Sequence, residues 1–317
     1  MFKSKTQLAA KIEIEEGADE ILAGADALLV ANPSFKPNTP PNERDNTSST
    51  MSQVAAVMGL RSATIEFDIE LKGSGTPGTP PEYGKLLQMC GFSEDIEASP
   101  ASVTYLPTST YGGSPVSLPS GTLALYMDGV VKKIWGARGD VSLKLQTGKF
   151  GVLHFVFTGA DFSVGDAELL SAGVSYQMTK PPVFMNANFM IDDSPPYPAI
   201  LSVLDLKMGN VVTLRDSANA ESGYLSAIIT GRKPSMSFDP EMVIVQTYDF
   251  YGKLRSNHEG SLSTVLGATS GNIITITAPK VQYVGINPAD RGGINTLGID
   301  CRLNKDSGDD ELSIALT

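Results

Sequence analysis

The sequence predicts an all-β protein made of two tandem antiparallel β-sandwich or barrel domains, each with one short helix and one long loop. The first observation behind this is the stretch Gly121 to Asp161, which reads as a meander. Val141, Leu143 and Leu145 alternate with Ser142, Lys144 and Gln146; after a turn at Thr147 to Lys149, Leu153, Phe155 and Phe157 alternate with His154, Val156 and Thr158. Period two with one apolar face is the pattern of a half-buried strand. Asp128-Gly129 separates Leu123 to Met127 from Val130 to Trp135, where a two-residue hairpin turn needs positive φ.

The second observation is that this arrangement returns in Gly271 to Asn304, where Leu297, Ile299, Cys301 and Leu303 alternate with Gly298, Asp300 and Arg302. The third is a pair of ordered echoes. Arg61 to Leu71 (RSATIEFDIEL) matches Arg232 to Met242 (RKPSMSFDPEM) at an offset of 171 (232 minus 61), and Tyr83 to Leu86 (YGKL) recurs as Tyr251 to Leu254 at 168 (251 minus 83). Repeats found in order indicate a duplicated unit. The expected domains are 1–178 and 179–317, joined at TKPPVF.

In chain order, Leu8 to Ile14 is expected to be a first strand and Ala25 to Val30 a second. Ala31 to Met58, rich in Pro, Asn, Ser and Thr, reads as an extended arm without regular structure, reaching over a neighbouring subunit. Its candidate contact residues are Pro33, Phe35, Pro37, Arg44 and Asp45. Arg61 to Lys72 is a strand with Ile65, Phe67, Ile69 and Leu71 on one face, and Glu82 to Phe92 a short amphipathic helix. Ser93 to Ser120 reads as loop, the pattern fades between Phe162 and Ala187, and Asn210 to Ser222 is a shorter polar excursion placed like the first arm. Glu311 to Leu316 closes the chain as a strand.

The net charge of −11 disfavours tight nucleic-acid binding, because an acidic surface repels phosphate. Cys90 and Cys301 sit among apolar residues and read as buried thiols. No segment approaches about 18 consecutive apolar residues, and the N-terminus lacks an apolar leader core, so the expectation is folding in a cytoplasm with no membrane partner.

Motifs for chemistry are weak. Gly73 to Gly78 matches G-x-G-x-x-G, but Pro77, Pro80 and Pro81 rule out the helix a dinucleotide site needs. Arg138-Gly139-Asp140 is expected to be a turn. His154 and His258 have no second ligand at metal spacing. The acidic groups Asp192-Asp193 and Asp309 to Glu311 lack the order of a calcium loop. Glu66, Asp68 and Glu70 line the wet face of one strand rather than a hydrolase cleft. Neither a catalytic constellation, a cofactor site nor a metal site is nominated, and an enzyme is not expected.

Taken in order, LAAKIE, ALLVANPSFKP, IEFDIELKGSGTPGTPPEYGKLLQMCGF, GARGDVSLKLQTGKFGVLHFVFTG, GRKPSMSFDP, GNIITITAPKVQY and DDELSIAL make the chain resemble the tail tube (major tail) proteins of long-tailed bacteriophages, two-domain type. The resemblance covers nearly the whole chain. It implies trimeric rings of pseudo-sixfold symmetry, stacked into a hollow conduit for DNA ejection in a siphovirus-like virion tail assembled in the host cytoplasm. Implied partners are the protein itself, tape measure, terminator and distal tail proteins, with DNA only as passing cargo. Under this reading Ser142, Lys144, Gln146, Asp300 and Arg302 face the channel. The alternative is a β-sandwich decoration or baseplate module that stays a discrete oligomer.

Overall fold

The computed structural model describes residues 5–109, 118–191 and 195–317. Strands β1 (Thr6–Ile12), β2 (Ala27–Leu28), β3 (Ala31–Asn38), β4 (Pro41–Asn42), β5 (Val57–Met58) and β6 (Ser62–Glu70) precede helix α1 (Gly84–Met89). Then come β7 (Phe92–Ala98), β8 (Ala101–Pro107), β9 (Gly121–Met127), β10 (Gly129–Gln146), β11 (Val152–Gly159) and β12 (Asp161–Ala167). The second half holds β13 (Met190–Ile191), β14 (Val203–Lys207), β15 (Asn210–Asp216), β16 (Tyr224–Arg232), β17 (Ser235–Phe238) and α2 (Phe250–Arg255). It ends with β18 (Glu259–Leu266), β19 (Ile274–Arg291), β20 (Ile294–Asn304) and β21 (Ser313–Leu316). The fold is all-β, with one short α-helix in each half among the described residues and a single 3-10 turn at Gly24–Asp26.

Every strand pairing is antiparallel, and the main sheet runs β3-β6-β11-β10-β14-β17-β20-β19-β18-β13. β21 continues the β20 edge of β19 and carries β8 and β7 beyond it. The pairings branch but never return on themselves, so among the described residues the sheet stays open. A second sheet, β2-β1-β9-β10-β12, shares β10 with the first.

β10 serves both sheets because its 18 residues bend at a bulge between Ile134 and Ala137. Gly136 sits there with φ +58, and a Cβ on it would lie 3.1 Å from Ala160 Cβ and 3.3 Å from Ser226 Cα. The Gly136 N–H donates to Glu13 Oε1 at 2.7 Å, and the same carboxylate accepts from Gly17 N, Ser120 Oγ and Thr122 Oγ1. Burial nevertheless pushes the Glu13 carboxyl above its usual range, desolvation outweighing the donors. With the folded pKa above the unfolded value of about 4.3, the stability Glu13 adds is full below that value and is lost as pH rises through the folded pKa. In a Glu13→Gln variant the amide must point at the N–H of Gly17 or Gly136, leaving a donor against a donor at a cost of about 1–3 kcal/mol. Urea unfolding of both proteins across pH should show their stability gap narrowing as pH rises past this window; a gap that widens would refute the assignment.

One contiguous core spans both halves, from Leu8 to Leu316. The apolar face of the main sheet supplies Phe67, Phe155, Leu143, Leu206, Phe238 and Ile299, all buried, and Leu86, Leu87 and Met89 of α1 pack into the same core. Cys90 and Cys301 are buried free thiols, and burial raises both above the ordinary thiol range.

The duplication is visible in the topology. β11 pairs with β6 so that Phe155 opposes Phe67, and β20 pairs with β17 so that Ile299 opposes Phe238, the residue 171 positions after Phe67 (238 minus 67). β10 and β19 are each 18 residues long, and α1 and α2 follow β6 and β17.

Several expectations need correction. Ala31–Asn38 is a strand, not loose arm, because Pro33 and Pro37 sit on a sheet edge where no donor to β6 is needed. The supposed loop after Phe92 forms the β7–β8 hairpin. Arg138-Gly139-Asp140 lies inside β10, not in a turn. Phe162 lies in β12, which extends the second sheet, and the polar excursion after Asn210 is β15, whose Val211, Val212 and Leu214 suit a strand. Asp192 and Asp193 lie outside the described residues.

Candidate assembly surface

The face of the main sheet opposite the core is polar, and Ser142, Lys144 and Gln146 of the first half lie on it with Asp300 and Arg302 of the second. Residues directly opposed across strands lie on one face. One such row runs Asp68, His154, Ser142, Lys207, Ser235, Arg302; a second runs Glu70, Val152, Lys144, Asp205, Ser237, Asp300. Ser142 and Arg302 therefore share one row and Lys144 and Asp300 the next. Lys144, Asp300 and Arg302 are exposed and Ser142 and Gln146 half-buried, with Gln146 opposite Val203 at the end of β10. Charges of both signs occur along these rows. Glu66 accepts from Ser34 Oγ, Asp68 bonds His154 Nδ1 at 2.7 Å and Asn32 Nδ2 at 2.8 Å, and Glu70 lies 3.6 Å from Lys72 Nζ, so each of the three carboxylates of β6 has a partner at the sheet surface.

The five candidate arm residues divide. Pro33, Phe35 and Pro37 belong to β3 at the sheet edge, where Phe35 is half-buried with its ring 5.9 Å from that of Phe162. Arg44 and Asp45 lie in residues 43–56, which carry no regular structure and are almost wholly exposed; Met51 is fully so. This loop leaves the body at the β4–β5 pairing. The second half has the β15–β16 hairpin at the corresponding place.

The echoed arginines close the base of each excursion, a role the sequence match alone did not reveal. Arg61 binds Asp161 and Glu221, both at 2.8 Å, and Arg232 binds Asp309 and Glu311. Asp309 also accepts from Ser109, and Asp310 from the backbone N–H groups of 306–308, which accounts for this acidic cluster.

The β15–β16 hairpin lies across β10 of the first half. There the buried Arg138 donates to Leu118 O, Ala227 O and Glu16 Oε1, while Glu16 also accepts from Ser226 Oγ and Arg215. The sequence marked Arg138 only as part of Arg-Gly-Asp and Glu16 not at all, since their partners lie 20 to 210 residues away. Asn210 adds bonds to Asp140, Gly139 O and Cys90 O.

Among the described residues no three His, Cys, Asp or Glu side chains gather as metal ligands, and no helix is long and apolar enough to cross a membrane. What the architecture presents is a duplicated β-protein whose polar side chains spread over one broad open sheet, the build of a structural subunit. The model of the phage tail tube protein family matches residues 3–302, and the chain belongs to that family. Its role is accordingly that of a structural component of the bacteriophage virion tail. No curated protein matches the chain.

Proposed function

We propose that this chain is the repeating subunit of the tail tube, three copies closing a ring of six pseudo-equivalent units, 1–178 and 179–317 being the two in each chain. Stacked rings then make the hollow conduit through which DNA is ejected. The observation that carries this is the joint between the halves: β10 of the first pairs directly with β14 of the second, so two units already share one unbroken sheet. Repeating that rotation yields a closed ring, and closure protects sheet edges that would otherwise aggregate. The polar face with Ser142, Lys144, Gln146, Asp300 and Arg302 lines the channel, where charges of mixed sign give a polyanion no continuous basic track. Tape measure, terminator and distal tail proteins are the partners at the ends, and assembly takes place in the host cytoplasm.

Negative-stain microscopy of the purified protein over a concentration series tests this. Hollow tubes or stacked rings are expected; compact particles at every concentration, with no tubes in the native source, would favour a decoration or baseplate module. The 43–56 loop gives a second prediction. Protease should cut there in the unassembled subunit and be blocked after assembly, and equal cleavage in both states would remove the loop from the contact.

A further inference from the structure

We infer that the edge of β19 beyond Gln282 pairs with β3 of a second copy, and that prolines on both edges restrict pairing to this combination. The inference rests on the ring reading above and names the strands and register that join one chain to the next.

Both edges are open among the described residues: β18 leaves β19 at Gln282, and β3 pairs only with β6. Backbone direction follows from the ladders. Leu71 N–H donates to Gly151 O, so odd residues of β6 face β11 and even ones face β3. Ser34, Lys36 and Asn38 therefore face β6, and Pro33, Phe35 and Pro37 turn their backbone outward. Likewise Leu297 N–H donates to Pro240 O and Leu303 N–H to Pro234 O, so even residues of β20 face β19. Asn287 and Ala289 face them, which leaves Ile286, Pro288 and Asp290 outward.

The joint inside the chain supplies the register. There Leu206 opposes Leu143, Leu204 opposes Leu145, and Met208 N–H donates to Val141 O. The 171-residue offset carries Leu206 to Phe35 (206 minus 171). Through Phe67–Phe155–Val141 and Phe238–Ile299–Ile286, Val141 corresponds to Ile286 and hence Leu143 to Pro288. Between chains the pairs become Phe35 with Pro288, Pro37 with Ile286 and Pro33 with Asp290.

Proline has no N–H to give. In this register each proline nevertheless meets a residue that has one: Phe35 donates to Pro288 O, Ile286 to Pro37 O and Asp290 to Pro33 O. β3 against another β3, centred on Phe35, sets Pro33 against Pro37 twice; β19 against itself, centred on Pro288, sets proline on proline. The prolines thus remove donors from self-pairing and keep one bond per pair in the productive joint, which is how an exposed edge is kept from the wrong partner. The half-buried Phe35 and Ile286 lie on the core-facing side of this joint and close it.

Ser34 and Ala289 become a non-hydrogen-bonded pair, whose Cα atoms lie about 4.5 Å apart in antiparallel sheet, within disulfide reach. Assembled Ser34→Cys protein mixed with Ala289→Cys protein and mildly oxidised should give a covalent dimer absent from either variant alone; the double variant should give covalent rings up to trimer. Lys36→Cys with Asn287→Cys is the second pair and should behave alike. Tubes that form without cross-linking at either pair, or a Ser34→Cys protein that links to itself, would overturn the joint while leaving the tube intact. Wild-type protein that never forms rings would instead overturn the ring reading itself.

Discussion

Replacing Phe155 with alanine is expected to destabilise the unassembled subunit by about 3–5 kcal/mol, the usual cost of removing a buried aromatic side chain. Phe155 is fully buried, directly opposite Phe67 on β6 and Val141 on β10, and stacks on Phe67 and Phe157 at centroid distances of 5.7 and 5.9 Å. Each aromatic pair adds roughly 0.5–1.5 kcal/mol beyond area burial. Against a total stability of about 5–15 kcal/mol, the loss is a large fraction. The corresponding second-half variant, Ile299→Ala, removes a smaller side chain that opposes Phe238 but has no ring of its own to stack, and should cost less, in the range of about 2–5 kcal/mol. Urea midpoints must be compared at one protein concentration below assembly, because assembly raises apparent stability. Equal shifts for both variants would show that the phenylalanine stack adds nothing of its own.

The sequence showed these strands because one face of each is buried, so apolar residues recur at every second position. It showed the duplication because Arg61 and Arg232, and Phe67 and Phe238, hold equivalent stations in two copies of one topology. β3 escaped notice because an edge strand is half polar and tolerates proline when its N–H side faces outward, and such a stretch reads as loop. β7 and β12 escaped because their outer residues are exposed on both faces; Ile96 and Val164 are both more than half exposed. The shared polar surface was legible as alternation, but Asp205 and Lys207, which join its two parts, were not. Their strand occupies only Val203–Lys207 and gains meaning only between β10 and β17.

Long-range polar anchoring is the least legible of all, and Arg138 is the case with the largest consequence. Arg138→Met should cost about 3–5 kcal/mol, as for removing one partner from a buried charged network. The side chain is 1 % exposed and ties three distant segments: Glu16 near the first strand, Leu118 before β9 and Ala227 in β16. Glu16 is partly hydrated and keeps Ser226 and Arg215, so its carboxylate is not stranded. The Leu118 and Ala227 carbonyls are, at about 1–3 kcal/mol each. Arg138→Lys should rescue only part, since one ammonium lacks the planar fork that reaches three acceptors. Hydrogen exchange separates this role from a general loss of stability. Amides of Ala227 to Ile229 should lose protection in Arg138→Met well before those of β6 and β11, because the hairpin is released from β10 while the phenylalanine-lined sheet stays closed. Uniform loss across all strands would mean that Arg138 supports the whole core rather than docking the hairpin.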